Sequence, residues 1–332
     1  MGRRGEFALI RDLFRPLAQA TPQALDLADD AAVLSLEGQG DLVASADALV
    51  SGVHFLPADP PATIAAKCLR VNLSDLAAMG ARPLGVLITA ALSAAQDDAW
   101  MEAFARGLGE DLTAFGLALL GGDTVSTPGP ATFSITILGT VPAGEALRRN
   151  HARPGHDLWV SGTLGDGALG LLAAQGQLLG LPAPLHDHLV DRYRRPCPRV
   201  ALGMGLRGLA GGCMDVSDGL CADAAHMARA SGVAIEIDAP DLPLSEAAAL
   251  VIADAPERFH LVLGGGDDYE LLFSAPAEAR DAVRKAGADA GVAVTRIGRV
   301  LPVAASAMPG VRVCDATGGT VGIDHPGWTH DA

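Results

Sequence analysis

The chain has 332 residues, of which 49% are hydrophobic and only 4% aromatic, and its formal net charge is -15. This length is enough for about two domains, with cores built mainly from Ala, Leu, Val and Ile. The acidic balance excludes a nucleic-acid surface or an anionic membrane as the main partner.

Lysine and cysteine usage narrow the chemistry further. Lysine occurs only at Lys67 and Lys285, so a phosphate ligand must be met by arginine, backbone N–H groups or metal ions held on carboxylates. The five cysteines are scattered and form no C-x-x-C pair, which is typical of reduced core residues. The N-terminus lacks an apolar targeting stretch, and no apolar run reaches the ~18 residues of a membrane span. We therefore expect a soluble, cytoplasmic protein.

The first half of the chain alternates helix and strand patterns. Apolar spacing predicts an amphipathic helix over residues 5 to 19, and Pro60 with Pro61 opens a longer helix that Gly80 ends. A further helix is predicted at WMEAFARGLGEDLTAFG. Strands are predicted at LVASADALV, PLGVLITAAL, LALLGG and FSITILGTV. These elements form one predicted α+β domain, residues 1–145.

A domain boundary is predicted in PAGEALRRNHARPGH, which is rich in turn formers and arginine. The second domain then covers residues 146–332. Helices are predicted there at ALGLLAAQG, after Pro198 and at GLCADAAHMARASG. Strands are predicted at DLWVSG, GCMDVS, VAIEID, HLVLGG, YELLFSA and VAVTRIGRV.

Five acidic stretches share one pattern, in which carboxylates end an apolar strand or stand in an apolar helix beside Gly or Ser. They are Asp29 with Asp30, Asp47, Asp75, Asp123, and Asp215 with Asp218. Taken singly, most are equally well explained as turn or cap residues. A turn or cap role explains Asp75 less well, because this residue lies on or near an apolar helix face where an unpaired carboxylate is costly. Together they favour a cluster that binds several divalent cations, and oxygen-only ligands suit Mg²⁺.

Three other features have two explanations each. His54 in GVHF suits a core histidine as well as a ligand-binding one. Arg148 and Arg149 form either a solvated turn or a phosphate contact. The segment GDGALG, residues 165 to 170, matches G-x-G-x-x-G, but the acid expected at a second strand end is missing. A glycine turn that lets a helix pack closely is therefore preferred to a dinucleotide site.

One series of motifs runs from residue 5 to about residue 330: GEFALI, LADDAAVL, SADALVSGVHF, KCLRVNLSDLAAMGARP, LLGGDT, ALRRNHARPG, MDVSDGL and LGGGDDYEL. Their order resembles that of the thiamine-monophosphate kinase family, in the PurM-like superfamily related to aminoimidazole ribonucleotide synthetase. The resemblance implies a PurM-like N-terminal α+β domain with a dimerising sheet, followed by a PurM-like C-terminal α/β domain. It also implies a homodimer that uses ATP and several Mg²⁺ ions to convert thiamine monophosphate into thiamine diphosphate.

The resemblance also assigns residues, position by position. The implied Mg²⁺ ligands are Asp30, Ser45, Asp47, Asp75, Asp123, Asp215 and Asp218, of which Asp47, Asp75 and Asp123 carry the catalytic role. The implied ATP contacts are Gly122, Asp123, Arg149 and Ser217. The positions that hold thiamine phosphate are His54, Asp267 and Trp328.

Two positions depart from the family pattern. Residue 46, which follows Ser45, is usually Thr and is Ala46 here, so one hydroxyl ligand is lost and water or backbone must replace it. Asp267 stands where Glu is usual, which shortens the reach to the substrate by one methylene.

Three alternatives stay open. An aminoimidazole ribonucleotide synthetase shares the acidic pattern, although GVHF and GDDYEL point away from it. A metal-dependent phosphohydrolase also uses carboxylate-held metals, but few histidines here have metal-ligand spacing. A nucleotide-binding protein without turnover is the third, and Ala46 is the feature that favours it.

Overall fold

The structure is a computed structural model that describes residues 25, 29, 31–36, 40–303, 308–322 and 327–328, with the backbone alone for residues 32 and 34–36. The helix predicted over residues 5 to 19 lies outside the described residues, as does Asp30. Two sheets organise the rest of the chain.

The first sheet has five strands in the order β1-β2-β5-β3-β4. All neighbours pair antiparallel except β3 and β4, which are parallel. The strands are β1 (Ala32–Leu36), β2 (Gly40–Val50), β3 (Arg82–Leu92), β4 (Ala118–Ser126) and β5 (Thr132–Val141). Two helices, α1 (Pro61–Ala78) and α2 (Asp98–Ala114), pack on one face, which we call the inner face.

The inner face is built from the alternation of β5. Phe133, Ile135 and Ile137 are almost fully buried, and the ring of Phe133 stacks on that of Phe104 with 4.6 Å between centroids. Each such side chain contributes about 1.5–3 kcal/mol on burial. The sheet face that carries the site residues of β2 is therefore anchored to both helices.

Helix α1 is buried along most of its length because it packs on both domains. Pro61 supplies the first helical position, and Gly80 (φ +66°) follows the last turn in a left-handed conformation that favours glycine. On its other side α1 meets the second domain so closely that a Cβ on Gly203 would overlap the carbonyl of Ala77. The helix thus connects the two cores.

The second sheet has six strands in the order β11-β8-β10-β6-β9-β7, antiparallel except for β11 and β8. The strands are β6 (His156–Ser161), β7 (Cys213–Asp215), β8 (Ala234–Asp238), β9 (Leu271–Pro276), β10 (Val294–Leu301) and β11 (Gly310–Cys314). The helices are α3 (Asp166–Ala174), α4 (Ala183–Arg194), α5 (Val200–Gly205), α6 (Leu220–Ser231), α7 (Glu246–Asp254), α8 (His260–Gly264) and α9 (Arg280–Asp289).

The predicted mixture of helices and sheets in two domains is confirmed, whereas the boundary between residues 145 and 146 stays a prediction. The strand predicted at HLVLGG is wrong, because the segment forms α8. The 3-10 turn Pro256–Phe259 runs directly into this helix, and a short apolar run does not distinguish strand from helix by periodicity. Within the described ranges, no helix is long and apolar enough to cross a membrane.

Candidate active site

Strand β2 and helix α1 bring three of the predicted metal ligands together. Ser45 and Asp47 are two residues apart on β2 and therefore share the inner face. The Ser45 hydroxyl donates to Asp75 Oδ2 on α1 at 2.6 Å, and the Asp47 backbone N–H donates to Asn72 Oδ1 at 3.0 Å. Asn72 itself is held by its Nδ2 bond to the carbonyl of Cys68. The first half of the site is thus fixed by one strand and one helix.

The second half lies where β7 ends and α6 begins. Asp215 is the last residue of β7, and the loop that follows carries Ser217 and Asp218. One buried oxygen, Asp223 Oδ2, accepts the backbone N–H groups of Ser217, Asp218 and Gly219 at 3.1 Å each. The loop is therefore rigid, and the backbone N–H of Ser217, a predicted ATP contact, is already used.

The pKa of the Asp223 carboxyl reflects how acidic this region is. Burial raises its pKa well above the ordinary carboxyl value, and the nearby charges of Asp218 and Asp215 raise it further. The three hydrogen bonds from the loop backbone act in the opposite direction. The sequence analysis missed Asp223, although an acid in the first turn of a helix is a recognised signal for N-terminal stabilisation.

Tyr269 lies between the two halves of the site. Its side chain packs against the core of the first domain. Burial raises its pKa well above the ordinary phenol value, and the charges of Asp267, Asp47 and Asp215 add to the effect. A single ring is therefore within electrostatic reach of carboxylates from β2, from β7 and from its own loop.

The segment with Asp267 and Tyr269 is strained. Both residues have positive φ, +63° and +50°, a region that costs non-glycine residues about 1–3 kcal/mol each. Two backbone bonds of 2.8 Å hold the conformation, from Asp267 N–H to the carbonyl of Ser217 and from Tyr269 N–H to that of Val216. The predicted substrate position at Asp267 is thus attached directly to the loop of Asp218.

The glycine turn in GDGALG is explained by the same segment. Asp268 accepts hydrogen bonds from the backbone N–H groups of Gly165 at 2.7 Å and Gly167 at 3.0 Å. Burial raises the pKa of Asp268 to about 7, while these two bonds lower it. A Cβ on Gly167 would overlap the backbone of Asp267. The start of α3 is therefore capped by a protein carboxylate, and the preferred interpretation as a close-packing turn agrees with this geometry.

A buried ion cluster supports the end of the strained segment. Glu270 is fully buried and accepts from Arg192 Nη2 at 3.0 Å, from Arg199 Nε at 2.6 Å and from the hydroxyl of Ser161. Arg192 also donates to the carbonyl of Asp268 at 3.0 Å. The sequence analysis missed this cluster, because its members come from four separate elements.

Arg149 lies between the two domains. Its backbone N–H donates to Asp29 Oδ1 at 3.4 Å, and its guanidinium Nε lies 3.7 Å from the same oxygen. Its carbonyl accepts the hydroxyl of Ser231, at the end of α6, at 2.9 Å. The predicted ATP contact is thus positioned by residues from both domains, next to the acidic stretch of Asp29.

Among the described residues, Asp123 is not brought to Asp47 within one chain. On the first sheet Asp123 pairs with Thr89, which in turn pairs with Ser134 on β5. The even-numbered residues of β5 face away from the helices. Asp47 pairs instead with the buried Ile135 of the inner face. Asp123 therefore lies on the outer face, and three strand spacings of ~4.8 Å place it about 14 Å across the sheet from β2.

Ala46 also lies on the outer face. It pairs with Thr136 and is exposed, whereas its neighbours Ser45 and Asp47 point toward α1. A hydroxyl at residue 46 would therefore stand on the side of Asp123. The replacement of the usual Thr by Ala46 therefore changes the outer face, where Asp123 lies, and not the side that faces Asp75.

Gly122 is required for the pairing of β4. We expect Gly122→Ala to destabilise the protein by about 2 kcal/mol more than Gly121→Ala. A Cβ on Gly122 (φ +157°) would overlap the backbone carbonyl of Ile88, while on Gly121 (φ +151°) it would meet only Leu87 Cδ2 at 3.6 Å. Both variants carry similar backbone strain, so thermal denaturation isolates the clash. Equal melting temperatures would contradict the strand pairing.

The three predicted substrate positions lie in two places. The Trp328 backbone N–H donates to the carbonyl of Asp218 at 2.9 Å, which puts this residue beside the same loop that holds Asp267. His54 follows β2, and its Nδ1 accepts the backbone N–H of Val50 at 3.0 Å, which places its proton on Nε2. Asp267 and Trp328 thus share one border of the site, and His54 closes the turn after β2.

The described residues contain no group of three His, Cys, Asp or Glu side chains that could hold a metal ion unaided. The acids come instead in two pairs: Asp47 and Asp75 lie on β2 and the adjacent helix α1, and Asp215 and Asp218 lie at the end of β7 and in the loop that follows it. Such pairs suit a cation that takes part of its coordination from phosphate and water, as Mg²⁺ does.

Family models match both parts of the chain. The model of AIR synthase related protein, N-terminal domain, matches residues 28–141, and that of AIR synthase related protein, C-terminal domain, matches residues 153–308. The predicted PurM-like fold of two related domains is thereby confirmed.

Known proteins are similar to the chain along most of its length. The thiamine-monophosphate kinase of Caulobacter vibrioides is 46% identical over 88% of this chain and 83% of its own. A solved structure described as AaThiL complexed with AMPPCP and TMP is 30% identical, with a TM-score of 0.84 over 98% of this chain and 97% of that one. The crystal structure of the thiamine-monophosphate kinase of Stenotrophomonas maltophilia is 42% identical, with a TM-score of 0.76 over 93% and 96%.

Proposed function

Because the chain belongs to the thiamine-monophosphate kinase family, we propose that it transfers the γ-phosphoryl group of ATP to thiamine monophosphate in one in-line step assisted by several Mg²⁺ ions. The enzyme is a thiamine-phosphate kinase, and its products are thiamine diphosphate and ADP. The observation that carries the mechanism is the packing of helix α1, whose Asp75 is bonded to Ser45 of β2, against β7, which ends at Asp215, so that acids of both domains border one site.

The substrates are supported by a relative. The structure described as AaThiL complexed with AMPPCP and TMP contains AMPPCP, an ATP analogue, together with TMP. In this chain the predicted ATP contact Ser217 accepts the backbone N–H of the predicted substrate position Asp267, and Trp328 is bonded to the neighbouring Asp218. We infer the same pair of substrates here, and a cytoplasmic location, where ATP is available.

The acceptor needs no general base. A phosphate monoester has a second pKa near ~6, so its oxygen is largely ionised at neutral pH. The protein must therefore position two phosphates and offset their repulsion rather than remove a proton.

The residues fit a site for Mg²⁺. Its ligands would be Ser45, Asp47 and Asp75 from the first domain and Asp215 and Asp218 from the second; Asp30 is the further predicted ligand. Mg²⁺ bound there would neutralise phosphate oxygens and hold the attacking and leaving oxygens in line. Burial raises the pKa of Asp223 and of Tyr269, and the charges of nearby carboxylates raise both further, which agrees with a site that binds cations.

The protein residues keep this site rigid. Asp223 fixes the loop of Ser217 and Asp218 through three N–H bonds. That loop in turn accepts the Asp267 backbone N–H through the Ser217 carbonyl. The distance between the acidic cluster and the substrate border is thus set by backbone hydrogen bonds, which need no rearrangement during the reaction.

We further propose that two copies form a homodimer through the outer face of the first sheet. This face carries Asp123 and exposes large apolar side chains, among them Leu87 at 41% and Val125 at 47%. Apolar exposure of this kind is typical of an interface. Within the described residues, β1 covers the edge of β2 only from Gly40 to Ala44. A second copy on the outer face would therefore bring its Gly122 and Asp123 to the Asp47 and Asp75 of its partner around the uncovered part of this edge.

The proposed reaction is tested by phosphorus NMR of the protein with ATP, Mg²⁺ and thiamine monophosphate. We expect thiamine diphosphate and ADP to form in equal amounts. Free phosphate as the only new product would indicate a phosphohydrolase, and ATP binding without turnover would indicate a silent nucleotide-binding protein. Addition of EDTA is expected to stop the reaction and excess Mg²⁺ to restore it.

A further inference from the structure

Lys67 is a buried cation at the border of the two domains. It belongs to α1, its side chain is 2% exposed, and its Nζ lies 2.8 Å from Asp267 Oδ2. The same Nζ lies 3.9 Å from the centre of the Tyr193 ring, a cation–π contact that adds to the attraction. A buried ammonium is costly unless it is paired. The pair must therefore persist in the folded enzyme.

The pair fixes the Asp267 carboxylate from the opposite domain. The backbone of Asp267 is already held by its N–H bond to Ser217, and its side chain is hydrogen-bonded to Tyr269. Lys67 supplies the remaining anchor from the first domain. The carboxylate is nevertheless 30% exposed, so a bound molecule can reach it.

Helix α1 carries both Lys67 and Asp75, a residue of the acidic cluster. Lys67 and Asp75 are eight residues apart on one helix, which corresponds to about 12 Å along the axis. A single rigid element thus carries a predicted metal ligand at one point and the partner of a predicted substrate position at another. The separation of the two ends of the site is built into α1.

The charge of Lys67 also suits a phosphorylated substrate. An unpaired carboxylate at Asp267 would add negative charge to a site that receives two phosphorylated molecules. The ammonium offsets that charge while leaving carboxylate oxygen available as a hydrogen-bond acceptor.

We propose that Lys67 is a positioning residue for thiamine monophosphate, which holds Asp267 in place and neutralises its charge. The proposal rests on the proposed function, in which Asp267 binds this substrate. It differs from a role in ATP binding, because the pair lies on the border with Asp267 rather than beside Arg149.

The test compares Lys67→Met with a matched control, Arg194→Met. Arg194 Nε pairs with the buried Asp59 at 2.6 Å and joins the same two domains, but neither residue contacts a predicted substrate position. We expect Lys67→Met to raise the KM for thiamine monophosphate at least about tenfold, with the KM for ATP changed by less than about twofold. Arg194→Met is expected to leave the KM for thiamine monophosphate within about twofold while lowering the melting temperature.

A second variant covers the case in which Lys67→Met does not fold. Lys67→Met combined with Asp267→Asn removes both charges and leaves no unpaired ion. Its KM for thiamine monophosphate is expected to lie between those of Lys67→Met and the wild type, and at least about threefold above the wild type.

Three outcomes would overturn the proposal. They are a wild-type KM in folded Lys67→Met or in the double variant, an equal rise in Arg194→Met, and a parallel rise in the KM for ATP. Failure of the proposed function is recognised separately, because the wild-type protein itself would then form no thiamine diphosphate.

Discussion

Asp75→Asn is expected to lower turnover of thiamine monophosphate at least about a hundredfold, the loss typical of a broken metal clamp, without unfolding the protein. Asp75 receives the Ser45 hydroxyl at 2.6 Å and faces β2 from helix α1. Asparagine keeps the side-chain shape and an acceptor oxygen for Ser45 but removes the negative charge. The substitution therefore separates the charge from the packing.

The measurement is steady-state turnover at increasing Mg²⁺ concentration, with circular dichroism to confirm folding. Asp218→Asn is expected to show a loss of the same order, because Asp218 is the corresponding acid of the second half. Asp111→Asn is a matched control: Asp111 is a buried acid paired with Arg70 at 2.6 Å on the helix pair of the first domain, away from the acidic cluster. It should lower stability and leave turnover nearly unchanged. Wild-type turnover in folded Asp75→Asn would rule out its assignment as a ligand.

The elements that carry the first half of the site could be predicted from sequence. LVASADALV alternates, which predicts a strand with Ser45 and Asp47 on one face. Pro61 and Gly80 mark the ends of α1, and the apolar residues around Asp75 place that acid near the core side. Local periodicity was sufficient because strand and helix each show a single dominant spacing.

The supporting residues could not be predicted in the same way. Lys67 and Asp267 are 200 positions apart, and the partners of Glu270 come from β6, α4 and the segment before α5. No local pattern encodes which buried ions meet. Asp223 was closer to prediction, since it lies within the first turn of α6, but a single acid in that position does not reveal that it binds three loop N–H groups.

Which face of the first sheet carries Asp123 could not be predicted from composition, because it depends on the register of the strand pairing. LALLGGDT is apolar on both faces and contains two glycines, so alternation does not assign a side to the acid. The bulge in the pairing of β3 with β4 shifts the register before Gly121. Only the pairing of residues across β4, β3 and β5 places Asp123 beside Thr89 and Ser134 on the outer face.

Mixing Asp75→Asn with Asp123→Asn is expected to restore activity that neither variant has alone. In a twofold-symmetric dimer each site would take Asp75 from one copy and Asp123 from the other. Random exchange of subunits makes half of the dimers mixed, and each mixed dimer then contains one site with both substitutions and one with neither. The expected recovery is about a quarter of wild-type turnover.

The control mixture is Asp75→Asn with Asp218→Asn. Helix α1, which carries Asp75, packs on β7, which leads into the loop of Asp218 in the same chain. Both acids therefore belong to one chain's site, and every site in a mixed dimer keeps one substitution. No recovery is expected there, although exchange occurs equally and is verified by native mass spectrometry. Equal inactivity of both mixtures after verified exchange would mean that Asp123 serves its own chain. Because about 14 Å and the thickness of the sheet separate Asp123 from Asp47 in one copy, that result would require the first sheet to rearrange. Recovery requires a second copy on the outer face whose Asp123 reaches the site around the edge of β2 beyond Ala44.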